Sequence, residues 1–282
     1  MSSAPADLEQ HYNPRLAVTD FARHFEDWGR RSAQARGQMS GYLDVSYGSH
    51  AMEKLDIFRA EGQSKALLMF IHGGYWRALD KKDHSFVARE FTRRGVTVAL
   101  INYALCPAVK VEDIVLQVLQ AGAWLYRNGS NFGAPAGKLY VAGHSAGGHL
   151  SAMTLAAQWP KVAADLPTKV VQAALSVSGV FDVHPILQVP SVNVEVRLDQ
   201  RQAGYVSPAL MPPATDAPLW LAVGGAEQEG FQAQHQLMKR KWKKVVAGEV
   251  DCPGDNHFTV LDRLTKPDDP LFKTTMKMMG VE

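Results

Sequence analysis

The run KLYVAGHSAGGH, residues 138–149, constrains this chain more than any other stretch. It sets Gly143 and Gly147 on either side of Ser145, with an apolar segment before and an Ala/Leu-rich segment after. A G-x-S-x-G pentapeptide in that setting predicts a sharp strand-to-helix turn, with Ser145 at its apex and its hydroxyl pushed out of the sheet. Side chains at 143 and 147 would collide with neighbouring backbone in so tight a turn, and the serine itself takes strained torsions. A turn of this kind needs a sheet on one side and a packed helix on the other, so the expected class is α/β.

The rest of the pattern agrees. Residues 67–72, 96–103, 138–142, 171–178 and 219–224 are short, nearly continuous apolar runs, suited to strands covered on both faces. Between them, 83–94, 111–128, 146–159 and 231–242 read as helices, and that alternation predicts a mostly parallel sheet with helices on both sides. Residues 42–47 and 54–60 alternate apolar and polar, as a half-solvated antiparallel pair would. A last strand is expected over 244–250. Residues 1 to about 40 are polar, with Phe21, Phe25 and Trp28 at helical spacings, and predict a helical N-terminal arm. The proline-rich segment 182–218 shows no clean period and is expected to form a cap or lid at the active-site edge. All of this fits one domain, 1–282.

A serine hydroxyl is a weak nucleophile until a base takes its proton. Four histidines follow Ser145: His149, His184, His235 and His257. His149 lies one helical turn on and points into packing, His184 opens the cap, and His235 falls inside a helix. His257 follows the last strand on a loop, where a base can reach the nucleophile, and is the candidate base. The acid that orients it must come from a strand end. Glu227 lies three residues past Gly224 and 30 before His257, while Glu229 and Asp182 are the rivals. His72-Gly73-Gly74-Tyr75-Trp76 follows the first core strand. Its glycines would let the N–H groups of Gly74 and Tyr75, joined by that of Ala146, face a developing oxyanion. Tyr75 and Trp76 would wall a pocket for an aromatic substrate, with Gly73 beside them.

On these residues the chain resembles α/β-hydrolases of the H-G-G branch, and within them the kynurenine formamidase (arylformamidase) family and its esterase-like relatives. The resemblance runs through Tyr12-Asn13-Pro14, Tyr47-Gly48, Leu55-Asp56, the His72–Trp76 motif, Asn102-Tyr103, Gly143–His149, Ser178–Asp182 and Asn256-His257-Phe258. It implies a nucleophile at Ser145, a base at His257, an acid at Glu227 and an acyl-enzyme route on small aryl formamides such as N-formylkynurenine. A carboxylesterase for short acyl aryl esters is the alternative. The sequence departs from the family at Glu227, where the formamidases carry aspartate.

Thirty basic against 28 acidic residues leave a formal charge of +2, with no electrostatic footprint for nucleic acid. The one dense basic cluster, Lys239–Lys244, reads as a solvated helix end. No apolar run is long enough to span a bilayer, and the N-terminus lacks a signal-peptide pattern. Two distant cysteines, Cys106 and Cys252, are expected to stay reduced, and the protein to be cytoplasmic. No H-E-x-x-H, C-x-x-C or phosphate-cradling loop occurs, so neither a metal nor a cofactor is expected. The expected partner is a small, aromatic substrate, with no membrane or nucleic acid, and the reading leaves room for a homodimer.

Overall fold

The computed structural model describes residues 5–281. Three helices open it: α1 (Pro5–Tyr12), α2 (Pro14–Ala17) and α3 (Phe21–Gln38). Asn13 caps α2 by accepting the Arg15 N–H, and Pro14 supplies the first helical φ. An antiparallel pair follows, β1 (Gly41–Ser46) and β2 (Lys54–Phe58). Strands and helices then alternate: β3 (Ala66–Ile71), α4 (Ala88–Thr92), β4 (Val96–Ile101), α5 (Val111–Asn128), β5 (Leu139–His144), α6 (Ala146–Ala156), α7 (Trp159–Val162) and β6 (Val171–Val177). After β6 come α8 (Pro190–Val196), α9 (Gln200–Tyr205), β7 (Leu219–Gly224), α10 (Glu229–Lys241), β8 (Val246–Cys252) and α11 (Pro270–Met278).

The eight strands form one sheet in the order β1-β2-β4-β3-β5-β6-β7-β8, parallel from β4 onward. Its architecture is that of an α/β-hydrolase. Successive strand residues face opposite sides, so each strand feeds two cores. Leu67, Met69 and Ile71 pack with α5, α6 and α10 through Ile114, Leu150 and Phe231. Ala66, Leu68 and Phe70 pack the other way, with Trp28 of α3, Phe91 of α4 and Phe272 of α11. Cys106 and Cys252 are unpaired and buried in different cores.

The expected helix 83–94 is broken. The Asp80 side chain caps a tight 3₁₀ turn at Lys81–Asp83, Asp83 returns the bond to the Asp80 N–H, and regular helix survives only over Ala88–Thr92. The expected helix 146–159 stops at Ala156, because Pro160 has no N–H and its ring would clash with the preceding turn. The last strand begins two residues later than expected. The N–H groups of Val245 and Val246 both bond the Trp242 carbonyl, and that turn uses up the start of the run. Within 182–218 the chain forms two 3₁₀ turns and the short helices α8 and α9, which bury Ile186, Val189, Val192 and Val196.

The register sets the site. Ile71 pairs with Gly143 and His144 with Val177, so the carboxyl ends of β3, β5 and β6 open at one edge, where open α/β sheets hold their ligands. A Cβ on Gly147 would lie 1.9 Å from the Ile71 carbonyl oxygen, and one on Gly143 would lie 2.2 Å from that of Gly147. Backbone on both sides cannot yield. Gly147→Ala is therefore expected to destabilise the fold by about 3 kcal/mol, read as a lower denaturant midpoint; a loss within 0.5 kcal/mol, the range of ordinary surface changes, would contradict this account of the turn.

Candidate active site

Ser145 occupies the N-cap of α6 at φ 58°, ψ −117°, torsions that a non-glycine residue holds only under constraint from its surroundings. The close approach of Gly143 and Gly147 to neighbouring backbone provides that constraint. The Ser145 N–H donates to the Val177 carbonyl, and the Ser145 carbonyl accepts the His149 N–H. Its Oγ lies 2.9 Å from Nε2 of His257, and Nδ1 of the same ring lies 2.6 Å from Oε2 of Glu227. A carboxylate can only accept, so Nδ1 carries the hydrogen and Nε2 is left to accept from the serine hydroxyl. Oε1 of Glu227 accepts the Gly224 N–H at 2.7 Å and the Ser178 hydroxyl. The structure thus brings Ser145, His257 and Glu227 into one hydrogen-bonded line, all three buried.

The other acids and histidines lie elsewhere. Glu229 is exposed in the first turn of α10, 3.7 Å from His11. Asp182 accepts the N–H and Nδ1 of His184, a local turn contact. His235 pairs with Glu249, and His149 spans the Trp76 indole and the Val206 carbonyl inside the core. His72 is buried, stacked on Tyr103 with ring centroids 4.3 Å apart, and its Nε2 meets Asn102 Oδ1 at 3.1 Å. Asn102 also accepts the Lys81 N–H and donates to Asp80, so His72 braces the loop that follows it.

In that loop Gly74, Tyr75 and Trp76 all take positive φ, at 104°, 50° and 57°. Gly74 and Tyr75 line the same cleft as Ser145 and His257. Ala146 begins α6 behind them, fully buried. Trp76 is a correction to the sequence reading: it is fully buried and donates its indole N–H to His149, so it belongs to the core and forms no wall of the cleft. Its ring meets that of Tyr75 edge-on, with centroids 5.9 Å apart. Gly73 does not line the cleft either; a Cβ there would meet the His144 carbonyl at 2.9 Å. Tyr75 lines it, with its hydroxyl bonded to the Tyr12 carbonyl.

The aromatic wall comes instead from residues given no site role in the sequence. Phe25 and Trp28 of α3, with Phe258, face the cleft, joined by Pro14 and Arg15 of α2, Arg77 and Val192. Their 3.6-residue spacing was visible, but spacing cannot say which covering face looks onto a site. Ser178, which holds the acid, was likewise unassigned. Among the described residues no three His, Cys, Asp or Glu side chains gather as metal ligands. No helix among them is long and apolar enough to cross a membrane.

A family model, BD-FAE, matches residues 55–211. The chain belongs to the BD-FAE family. This BD-FAE protein is 28% identical to the kynurenine formamidase of Salmo salar over 97% of its own length and 96% of that protein's. A Silicibacter sp. TM1040 crystal structure that carries a provisional thioesterase designation is 30% identical over 97% of this chain and 98% of its own, with a TM-score of 0.83. Esterase B of Lactobacillus rhamnosis shares the fold at 16% identity and a TM-score of 0.68, over 92% and 93% of the two chains. The BD-FAE protein is a formamidase- or esterase-like hydrolase.

Four imidazoles, one of them lining the cleft, are buried as neutral groups. Burial pulls His72 down, His144 well down, His149 to about 4 and His84 to about 3 from an ordinary 6.5. The unfolded chain protonates these rings below 6.5 while the folded one resists, so the unfolded state binds more protons and stability is lost as the pH is lowered. The free energy of unfolding is expected to drop steadily from pH 6.5 toward pH 4 in denaturant titrations; a flat profile there would refute this assignment of neutral rings.

Proposed function

We propose that the chain is a serine hydrolase working through an acyl-enzyme, without a metal, on small aryl formamides such as N-formylkynurenine. The observation that carries this reading is the line from Ser145 through His257 to Glu227 at 2.9 and 2.6 Å. In it, Ser145 Oγ attacks the formyl carbon as its proton passes to His257 Nε2. The tetrahedral oxyanion takes hydrogen bonds from the N–H groups of Gly74, Tyr75 and Ala146. Glu227 stays ionised, holding the ring's tautomer and balancing the imidazolium. The imidazolium then protonates the departing aryl amine, the C–N bond breaks, and formyl remains on the serine. Water, deprotonated by His257, releases formate and restores the hydroxyl.

Two observations support an aryl formamide. The names of full-length relatives include kynurenine formamidase, and Phe25, Trp28 and Phe258 give the cleft a flat apolar side for an aromatic leaving group. The esterase reading rests on the fold neighbours, because the same groups would cleave a short acyl aryl ester unchanged.

Formate release from N-formylkynurenine, set beside p-nitrophenyl acetate cleavage, separates the two. Rapid formate release is expected, and brisk ester cleavage with none would leave the esterase reading alone. Ser145→Ala is expected to lower kcat by about 10³-fold or more, because the three groups act as a unit; a mild loss would move the nucleophile. Glu227→Ala is expected to cost far more activity than Glu229→Ala, and the reverse order would reassign the acid.

A further inference from the structure

The cleft beside Ser145 holds two guanidinium groups, those of Arg15 and Arg77, that the proposed reaction does not use. Arg77 is compensated: it pairs with Glu195. Arg15 is not. Among the described residues no carboxylate lies within ion-pair distance of it, and its Cζ rests 5.1 Å and 5.7 Å from the ring centroids of Phe21 and Phe25. Phe25 is also part of the apolar side of the cleft, so the charge sits where an aryl ring placed against Phe25 would present its substituents.

The mount is fixed. Arg15 lies in α2, whose cap Asn13 bonds Glu9 and Ser191, each at 2.9 Å. Glu9 is committed to Asn13 and to the Ser191 N–H, and Glu195 to Arg77, so neither satisfies Arg15. Arg15 is exposed to solvent where it lines the cleft, and Arg77 close by sets a second positive charge beside it. An anion at Arg15 relieves that repulsion, and a guanidinium fork fits a carboxylate better than any other small anion a leaving group carries.

We propose that Arg15, backed by Arg77, reads a carboxylate on the substrate's aryl side, so that the enzyme prefers anionic aryl formamides and esters to neutral ones. This rests on the reading of Ser145 as the reacting centre and deepens it, since N-formylkynurenine itself ends in a carboxylate. The interaction acts in binding, so it shows in KM before kcat.

The test uses two matched pairs: phenyl acetate against 3-acetoxybenzoate, and formanilide against 3-formamidobenzoate. The meta position keeps the carboxylate from assisting its own hydrolysis. Wild-type protein is expected to favour the anion in kcat/KM by about 10-fold or more, the worth of one charged hydrogen bond. That preference should fall as salt rises from 0.01 M to 1 M. Arg15→Gln should collapse the anion-to-neutral ratio, chiefly through KM, and Arg15→Lys should restore part of it. Equal wild-type rates within each pair, or a ratio unmoved by Arg15→Gln, would overturn the proposal. The wild-type comparison and its salt dependence decide even if a variant fails to fold. Turnover of the ester pair alone would remove the formamide reading and leave the carboxylate preference to be judged on the esters. Failure of all four substrates would remove the site assignment and the proposal together.

Discussion

Backbone packed against backbone at the end of β3 is the constraint on which the rest of the site depends. The start of α6 presses so close to Ile71 that no side chain fits at Gly147, and Gly147 in turn excludes one at Gly143. That contact holds Ser145 at positive φ and draws the loop after β3 against it. Because β3 and β5 run parallel, with Ile71 opposite Gly143, the loop after one and the turn after the other emerge side by side. Ser145 and the loop of Gly74 and Tyr75 thus come together through one register between two adjacent strands. A slip of one residue would exchange the two faces of β3 and separate them.

Glutamate at 227 is accommodated by its surroundings. Its extra methylene would let the carboxylate swing, but Oε1 is held by the Gly224 N–H, three residues back, and by the Ser178 hydroxyl, leaving Oε2 toward His257. Ser178 also has positive φ, at 54°, just past the end of β6, which turns its hydroxyl toward β7. The acid's orientation is therefore built from two strand ends, and a longer side chain serves where a shorter one would need a different loop. Around it the histidines divide cleanly. His72, His84, His144 and His149 are buried without carboxylate partners of their own, and His257 is the ring in the cleft that has one.

The parts of this arrangement that were legible in the sequence are those fixed by local geometry. The turn at 143–147, the apolar strand runs and the loop position of His257 each follow from a few adjacent residues. Choosing among Glu227, Glu229 and Asp182 was not local: all three follow strand ends, and only the fold shows that Glu229 faces solvent while Asp182 is spent on His184. Trp76 misled for the same reason. It follows Tyr75 directly, yet consecutive left-handed residues send one side chain into the cleft and the other into the core. Phe25 and Trp28 showed a helical stripe, which says that a face is covered and not what lies opposite.

What lies opposite is the cleft, and this makes the N-terminal arm part of the site. The Tyr12 carbonyl accepts the Tyr75 hydroxyl, Gln228 donates to the Asn13 carbonyl, and Trp28 packs edge-on to His144, beside Ser145. The arm is thereby tied to the loop after β3, to the start of α10 just past Glu227, and to the turn at Ser145. These contacts join residues about 60 to more than 200 apart in sequence, and such pairings close late because long loops must be closed first. The sheet can bring Ser145, Glu227 and His257 together from β5 onward, with Phe258 beside His257, yet Phe25, Trp28 and Arg15 arrive only when the arm docks. The core thus supplies Ser145, His257 and Glu227, and the arm sets Phe25, Trp28 and Arg15 beside them.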